Sequence, residues 1–219
     1  MAEIVIPYQP REPQLQMHEA MDGTRFAVVV AHRRMGKTVA AINHLIKSAV
    51  ECGKDEPRFA YIAPTYGQAK RVAWDYLTKF TRPLNATHNI SELRADFWGR
   101  RISLYGSDNP DSLRGQYFDG VILDEIGDQD PKIWNEIIRP ALSDRLGWCM
   151  FVGTPKGKNH FFSLRDKAEE ADDWTLLEFK ASETKILPES ELDSARKEMG
   201  DDKYRQEFEC DFIGSSATL

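Results

Sequence analysis

Six apolar residues, Phe26-Ala-Val-Val-Val-Ala31, lead within a few positions to Gly36-Lys37-Thr38, and apolar residues then recur at helical spacing from Lys37 to Ala49. An unbroken β-branched run predicts a strand buried on both faces. A glycine-bearing loop that leaves such a strand and opens a helix lets backbone amides converge on an anion. Gly36 allows close approach of the backbone to phosphate, Lys37 is placed to reach the β- and γ-phosphates, and the Thr38 hydroxyl is suited to ligate Mg²⁺. The position usually held by the first glycine of such a loop is Ala31, whose methyl narrows backbone freedom there. A Gly-Lys-Thr on an ordinary turn carries little weight. Its weight here comes from the strand before it, the spacing and the helix after it.

The rest of the chain alternates in the same way. Phe59–Ala63, Arg101–Gly106, Val121–Leu123, Trp148–Val152 and Trp174–Phe179 read as strands. Gln68–Phe80 reads as a helix with Ala69, Val72, Ala73, Tyr76, Leu77 and Phe80 on one face, and Pro131 suits the first turn of a helix running to about Leu142. Asn109-Pro-Asp marks a turn, and residues 188 to 208 read as polar, charge-rich helix. Strands alternating with helices imply an α/β fold with a mostly parallel central sheet flanked by helices. No strand is expected after about Ser182. The expected division is a core over residues 1–182 and a small C-terminal helical lid or linker over 183–219.

A 41% hydrophobic share is ordinary for a globular protein, and 219 residues fit one α/β domain with a small appendage. No apolar run is long enough to cross a bilayer, so no membrane role is expected, and the first residues lack the pattern of a secretory signal. Three cysteines, 52, 149 and 210, are far apart and follow no disulfide or zinc spacing; they read as reduced, small hydrophobes of a cytosolic protein. The five histidines show no metal-ligand spacing. A net charge of −6 is unlike that of a protein that holds nucleic acid tightly over its whole surface. Any DNA contact then rests on a local basic patch, another domain or transient encounters.

Three further motifs sit beside predicted strand ends. Val121-Ile-Leu-Asp124-Glu125 ends a strand in two acids. Asp124 is suited to hold a nucleotide-bound Mg²⁺ through its water shell, and Glu125 to orient or deprotonate water. Alone, the pair reads equally as a solvated strand end. Phe151-Val-Gly-Thr154-Pro places a threonine at another strand end, where ligands of such sheets bind; alone it reads as a capped turn. Arg114, beside Gly115 in a loop before the acidic strand, is either a solvated surface residue or an arginine finger. Lys70, Arg71, Trp74 and Lys79 on the helix 68–80 suit DNA contact or coupling, and equally a solvated amphipathic helix.

Together these segments resemble the large terminases of tailed bacteriophages. Tyr8-Gln-Pro-Arg-Glu-Pro-Gln14, with His18 following, looks like the adenine-contacting segment ahead of the P-loop in that family. Ala63-Pro-Thr-Tyr-Gly-Gln-Ala-Lys70, Leu113-Arg-Gly115, Phe118–Glu125, Ile133-Trp134, Ile138–Leu142, Gly153-Thr-Pro-Lys-Gly157, Tyr204–Phe208 and Asp211-Phe212 follow in the family's order, so the resemblance spans about residues 8 to 213. It implies a P-loop NTPase fold of the ASCE type and an ATP-hydrolysing motor that drives double-stranded viral DNA into a procapsid. In that reading residues 31–38, Arg33, Arg34 and Met35 among them, hold ATP as the Walker A loop. Lys37 binds phosphate and serves catalysis, and Thr38 and Asp124 hold Mg²⁺. Glu125 is the catalytic carboxylate and Thr154 couples nucleotide state to the chain. Gln14 contacts adenine, with Gln9 and Gln16 near enough to compete. Arg114 is inserted into a neighbouring subunit's site. The implied partners are DNA, the portal protein, the small terminase subunit and further copies of the chain in a ring on the procapsid, in the host cytoplasm; the isolated domain would be a ring or a monomer. Full terminases carry a C-terminal nuclease built on clustered carboxylates. No such cluster follows Asp211, so no nuclease activity is expected of this chain.

Two other readings fit some of the same residues. A helicase-like ATPase half shares the acidic pair and the Ala-Pro-Thr segment but takes its finger from a second motor lobe. A nucleotide-binding assembly switch would bind ATP without turnover at any protein concentration.

Overall fold

The computed structural model describes residues 4–212. In chain order the elements are α1 (Glu12–Gly23), β1 (Phe26–Ala31), α2 (Lys37–Glu51), β2 (Arg58–Ala63), α3 (Tyr66–Thr81), β3 (Thr87–Asn89), β4 (Arg94–Phe97), β5 (Arg100–Gly106) and β6 (Gly120–Asp124). A π-helical stretch, Ile133–Ile138, runs into α4 (Arg139–Ala141). Then come β7 (Trp148–Gly153), α5 (His160–Glu170), β8 (Trp174–Phe179), α6 (Ala181–Thr184), α7 (Glu189–Met199) and α8 (Asp201–Phe208).

All eight strands join one sheet in the order β3-β4-β5-β2-β6-β7-β1-β8. From β5 to β8 every pairing is parallel, while β3 and β4 add an antiparallel margin beyond β5. β1 lies inside the sheet, between β7 and β8, and all six of its residues are buried. Its two faces serve different cores. Ala27, Val29 and Ala31 pack with Met17 of α1, Ile42 and Leu45 of α2 and Leu77 of α3. Val28 and Val30 pack with Ile133, Trp134 and Phe161 on the opposite side. Burial on both faces is why the run is apolar without alternation.

The predicted strands are all present, each extended by at most a residue or two. The helix expected from Pro131 to about Leu142 is present too, with π-helical geometry over most of its length. α1, the β3–β4 pair, α5 and the short α6 were not anticipated. The helical stretch expected over 188–208 is broken in two, because Gly200 takes a φ of 79° where α7 must end. α6, α7 and α8 carry a small hydrophobic cluster of their own around Ala181, Leu192 and Tyr204. Just beyond them, Cys210 and Phe212 return to the second core of the sheet. Residues 213–219, the end of the expected lid or linker, lie outside the described residues.

Candidate active site

The loop after β1 turns back on itself at two residues. Arg34 has a φ of 69° and Gly36, at the N-terminus of α2, a φ of 96°. The backbone favours glycine at the second, where a Cβ would also push aside Gln14 Nε2, 2.7 Å away. Gly36→Ala is therefore expected to lower stability by about 1–2 kcal/mol, the cost of a left-handed residue with a side chain, and to weaken nucleotide binding by crowding the loop. Denaturant unfolding and a nucleotide titration measure the two effects separately. Ala31, by contrast, is the last residue of β1 and keeps extended backbone, so its methyl costs nothing.

Three strand tips converge at this loop: β1 before it, β7 beside it and β6 beyond β7. Lys37 Nζ donates to Thr154 Oγ1 at 3.0 Å and to the Ala31 and His32 carbonyls at 3.4 and 3.3 Å. Thr154 Oγ1 in turn donates to the Ala31 carbonyl at 3.1 Å. A buried ammonium without a counter-ion is costly. Lys37 is thus held by neutral oxygens, ready for an anion at the loop.

Asp124 ends β6 and is 4% exposed. Its Oδ1 accepts from the Glu125 amide at 3.0 Å, and its Oδ2 accepts from the Tyr61 hydroxyl. The Thr38 hydroxyl lies beside both Asp124 and Tyr61. Burial pushes the Asp124 carboxyl above its ordinary range, opposed by Tyr61, by the Lys37 charge and by its other donors. Burial and then the neighbouring Asp124 charge raise Glu125 as well. Glu125 leaves the strand in left-handed geometry, φ 49° and ψ 46°, which turns its side chain out of the strand alternation. Among the described residues there is no group of three or more His, Cys, Asp or Glu suited to hold a metal. One buried carboxylate beside a hydroxyl instead suits a hard cation that keeps its own waters and phosphate oxygens.

Gln14 is buried on α1. Its Nε2 donates to the Gly36 carbonyl at 3.0 Å, and its Oε1 accepts from the Arg11 amide at 2.9 Å, closing the first turn of the helix. Gln9 lines the cavity of about 450 Å³ beside it, together with Tyr8, Arg34, Tyr76 and Phe80. Gln16 is turned to Glu12 at 3.2 Å, on the exposed side of α1. Met35 is fully buried and packs in the first core. Arg33 is engaged by Glu207 of α8, a buried carboxylate that also pairs with Lys203 at 2.7 Å. Burial alone would raise Glu207, but Arg33 and Lys203 hold it below its ordinary range. The loop backbone also joins the tail: the His32 amide donates to Phe179 and the Arg33 amide to Glu207. Arg114 is exposed in the β5–β6 connection and pairs with Asp111 at 3.4 Å. Among the described residues it bonds to no member of the loop or the acidic pair.

The structure thus brings together Gln14, Gly36, Lys37, Thr38, Asp124, Glu125 and Thr154, and leaves Arg114 apart. Sequence reasoning missed Tyr61, Gln129 and Glu207. Only Tyr61 carried a signal, a phenol in a strand buried on both faces, which has to find a partner. Cys149 and Cys210 are buried and free and Cys52 is half-buried. None of the helices described is long and apolar enough to cross a membrane.

Comparison with known proteins bears on the family and the fold. Over 187 residues the chain is 29% identical to the terminase large subunit of Thermus phage G20c, covering 73% of this chain and 36% of that protein. It therefore spans little more than a third of that relative's length. The fold matches the large terminase ATPase domain of Thermus phage P74-26 with a TM-score of 0.84 at 23% identity, covering 95% of this chain and 96% of the other. It also matches the large terminase of a thermophilic bacteriophage in complex with ADP, with a TM-score of 0.77 at 16% identity, over 93% of this chain and 53% of the other. The family model described as "Terminase large subunit, T4likevirus-type, N-terminal" matches residues 29–219, and with a match over most of its length the chain belongs to that family.

Proposed function

We propose that this chain hydrolyses ATP and that, within a large terminase, the hydrolysis drives double-stranded viral DNA into a procapsid. The observation that carries the reading is the convergence of Lys37, Thr154, Asp124 and Glu125 at three adjacent strand tips. Lys37 and the amides from Arg34 to Thr38, with the Arg34 side chain, bind the phosphates. Gln14 and the cavity beneath Tyr8 and Tyr76 receive adenine, as suits the thermophilic phage relative solved with ADP. Asp124 and Thr38 would hold magnesium, which neutralises phosphate charge when bound. Glu125 aligns water for in-line attack and takes up its proton. Thr154 touches both Lys37 and the end of β1, so a change at the phosphates reaches β7.

Arg114 is exposed and distant from its own chain's site in bonding terms, which suits a finger offered to a neighbouring subunit in a ring. α6 to α8 act as the lid, tied to the loop through Arg33 and Glu207. The portal protein and the small terminase subunit complete the machine, which works in the host cytoplasm.

The test is the rate of ATP hydrolysis per subunit against protein concentration, for the unaltered chain, Glu125→Ala, Arg114→Ala and an equimolar mixture of the two. Each variant alone is expected to be inactive. The mixture is expected to recover activity, because some interfaces then pair an intact Glu125 with an intact Arg114. An arginine finger typically contributes ~10³–10⁵ in rate. An unaltered chain that binds ATP yet never turns it over at any concentration would remove the motor reading and leave a nucleotide-binding switch. Turnover by a dilute monomer, unaffected by Arg114→Ala, would remove the finger alone.

A further inference from the structure

The acidic pair at the tip of β6 depends on a residue that no sequence motif singles out. Gln129 lies just after the short turn that follows Glu125 and is 4% exposed. Its Nε2 donates to two carbonyls at once, Ile62 of β2 at 3.0 Å and Asp124 of β6 at 2.8 Å. Only the NH₂ end of an amide can face two carbonyls, so the orientation of the side chain is fixed. The ladder between β2 and β6 ends at the pair Ile62–Leu123. Beyond that pair the Gln129 amide takes over from the backbone and ties the two strand tips together.

The residue that follows β6 is Glu125, in a left-handed conformation that is unfavourable for any residue with a side chain. Such geometry persists where the surroundings over-determine it. Here the Glu125 amide donates to Asp124 Oδ1 at 3.0 Å, the Asp128 amide donates to the Glu125 carbonyl at 2.9 Å, and the Gln129 amide donates to the Ile126 carbonyl at 3.1 Å. Gln129 therefore closes the turn twice, with its backbone at one end and its side chain at the other. Its Oε1 is buried with no hydrogen-bond partner among the described residues. A methionine of the same length would fill the space, but it would take this donor away from the Ile62 and Asp124 carbonyls.

We propose that Gln129 is a positioning residue for hydrolysis: by bridging the tips of β2 and β6 it fixes the peptide that aims Glu125 at the nucleotide. The inference rests on the role of Glu125 proposed above. Gln129 touches neither nucleotide nor water in this scheme and acts through the 124–125 backbone.

The test compares the unaltered chain with Gln129→Met, which keeps the shape and loses both donors, and Gln129→Glu, whose buried carboxyl is held neutral and keeps one donor for the two carbonyl oxygens. Binding of ATPγS is titrated, and single-turnover hydrolysis is then measured at saturating ATP with rates scaled to nucleotide-binding sites. Both variants are expected to bind ATPγS within about threefold of the unaltered chain. Their hydrolysis step is expected to fall roughly tenfold to a hundredfold, the scale of a small misplacement of a catalytic group. KM should change little, a split that a general loss of structure would not produce. Unchanged rates per site in both variants overturn the positioning role while leaving the ATPase reading intact. Loss of ATPγS binding in both makes Gln129 a folding residue and overturns it too. An unaltered chain with no hydrolysis removes the reading on which the inference rests.

Discussion

Glu125→Gln is expected to bind ATP about as tightly as the unaltered chain and to turn it over roughly 10²–10⁴-fold more slowly, the usual contribution of a positioned proton acceptor. The amide keeps the shape of the side chain and its left-handed backbone, so the turn from Glu125 to Gln129 stays closed. What it loses is the ability to take a proton. It also removes a negative charge next to Asp124, whose own charge, after burial, raises Glu125. With that repulsion gone, the folded state and the nucleotide complex should be at least as stable as before. Equilibrium binding of a fluorescent ATP analogue and single-turnover hydrolysis separate the two effects. A rate within threefold of the unaltered chain would mean that another group accepts the proton, and that the assignment of Glu125 is wrong.

The second large effect is loss of stability in mild acid. His18 of α1 and His44 of α2 stack with ring centroids 5.3 Å apart, and their Nδ1 atoms lie at 3.1 Å. That contact needs one N–H and one lone pair, so two protonated rings cannot make it. Tyr8 bonds to the far nitrogen of His18 at 3.1 Å, Trp148 packs edge-on against His44, and Lys47 and Asp22 supply the nearby charges. Burial, then the charges of His18 and Lys47, lower His44 to about 3 from an ordinary 6.5. Burial followed by Lys47 lowers His18 too, against Asp22. Because the folded pKa is depressed, the unfolded chain takes up protons first as pH falls below 6.5. Stability is therefore lost from 6.5 downward towards 3, at about 1.4 kcal/mol per pH unit for one such group. Between pH 6.5 and 4.5 His44 alone should cost on the order of 2 kcal/mol, and His18 adds in the same direction. Urea unfolding at pH 7.5 and 5.0, for the unaltered chain and for His44→Gln, measures this. Contributions from carboxylates are shared and cancel in the comparison. The variant should show a shallower dependence on pH; equal slopes would mean that His44 is protonated in the folded state. Since α1 also places Gln14 against Gly36, acid that loosens the α1–α2 contact should weaken nucleotide binding before the whole chain unfolds.

The central strands β1, β6 and β7 could be read from the chain because burial on both faces leaves them almost continuously apolar, and the site could be read because it lies where those strands end. The unanticipated elements are the ones with little apolar signal. α1 buries only Met17 and Met21 among its large apolar residues, and β3 is Thr-His-Asn. α5 buries just Phe161 and Ala168 along eleven residues. In the site, local spacing gave Lys37, Thr38, Asp124, Glu125 and Thr154. It could not give the partners that arrive from elsewhere in the chain. Tyr61 meets Asp124 across 63 positions, Gln129 meets Ile62 across 67 and His18 meets His44 across 26. Such contacts follow from sheet order and helix packing, which no local pattern encodes.

The bonds from the P-loop to α8 also bear on how the chain is made. Arg33 and Glu207 are separated by 174 positions, roughly 10–35 s of synthesis at ~5–20 residues per second. β1 and α2 leave the ribosome early, but the amides of His32 and Arg33 gain their acceptors only when Phe179 and Glu207 have followed. A nascent chain therefore carries the loop after β1 long before that loop is anchored to α8. A non-local closure of this kind slows folding.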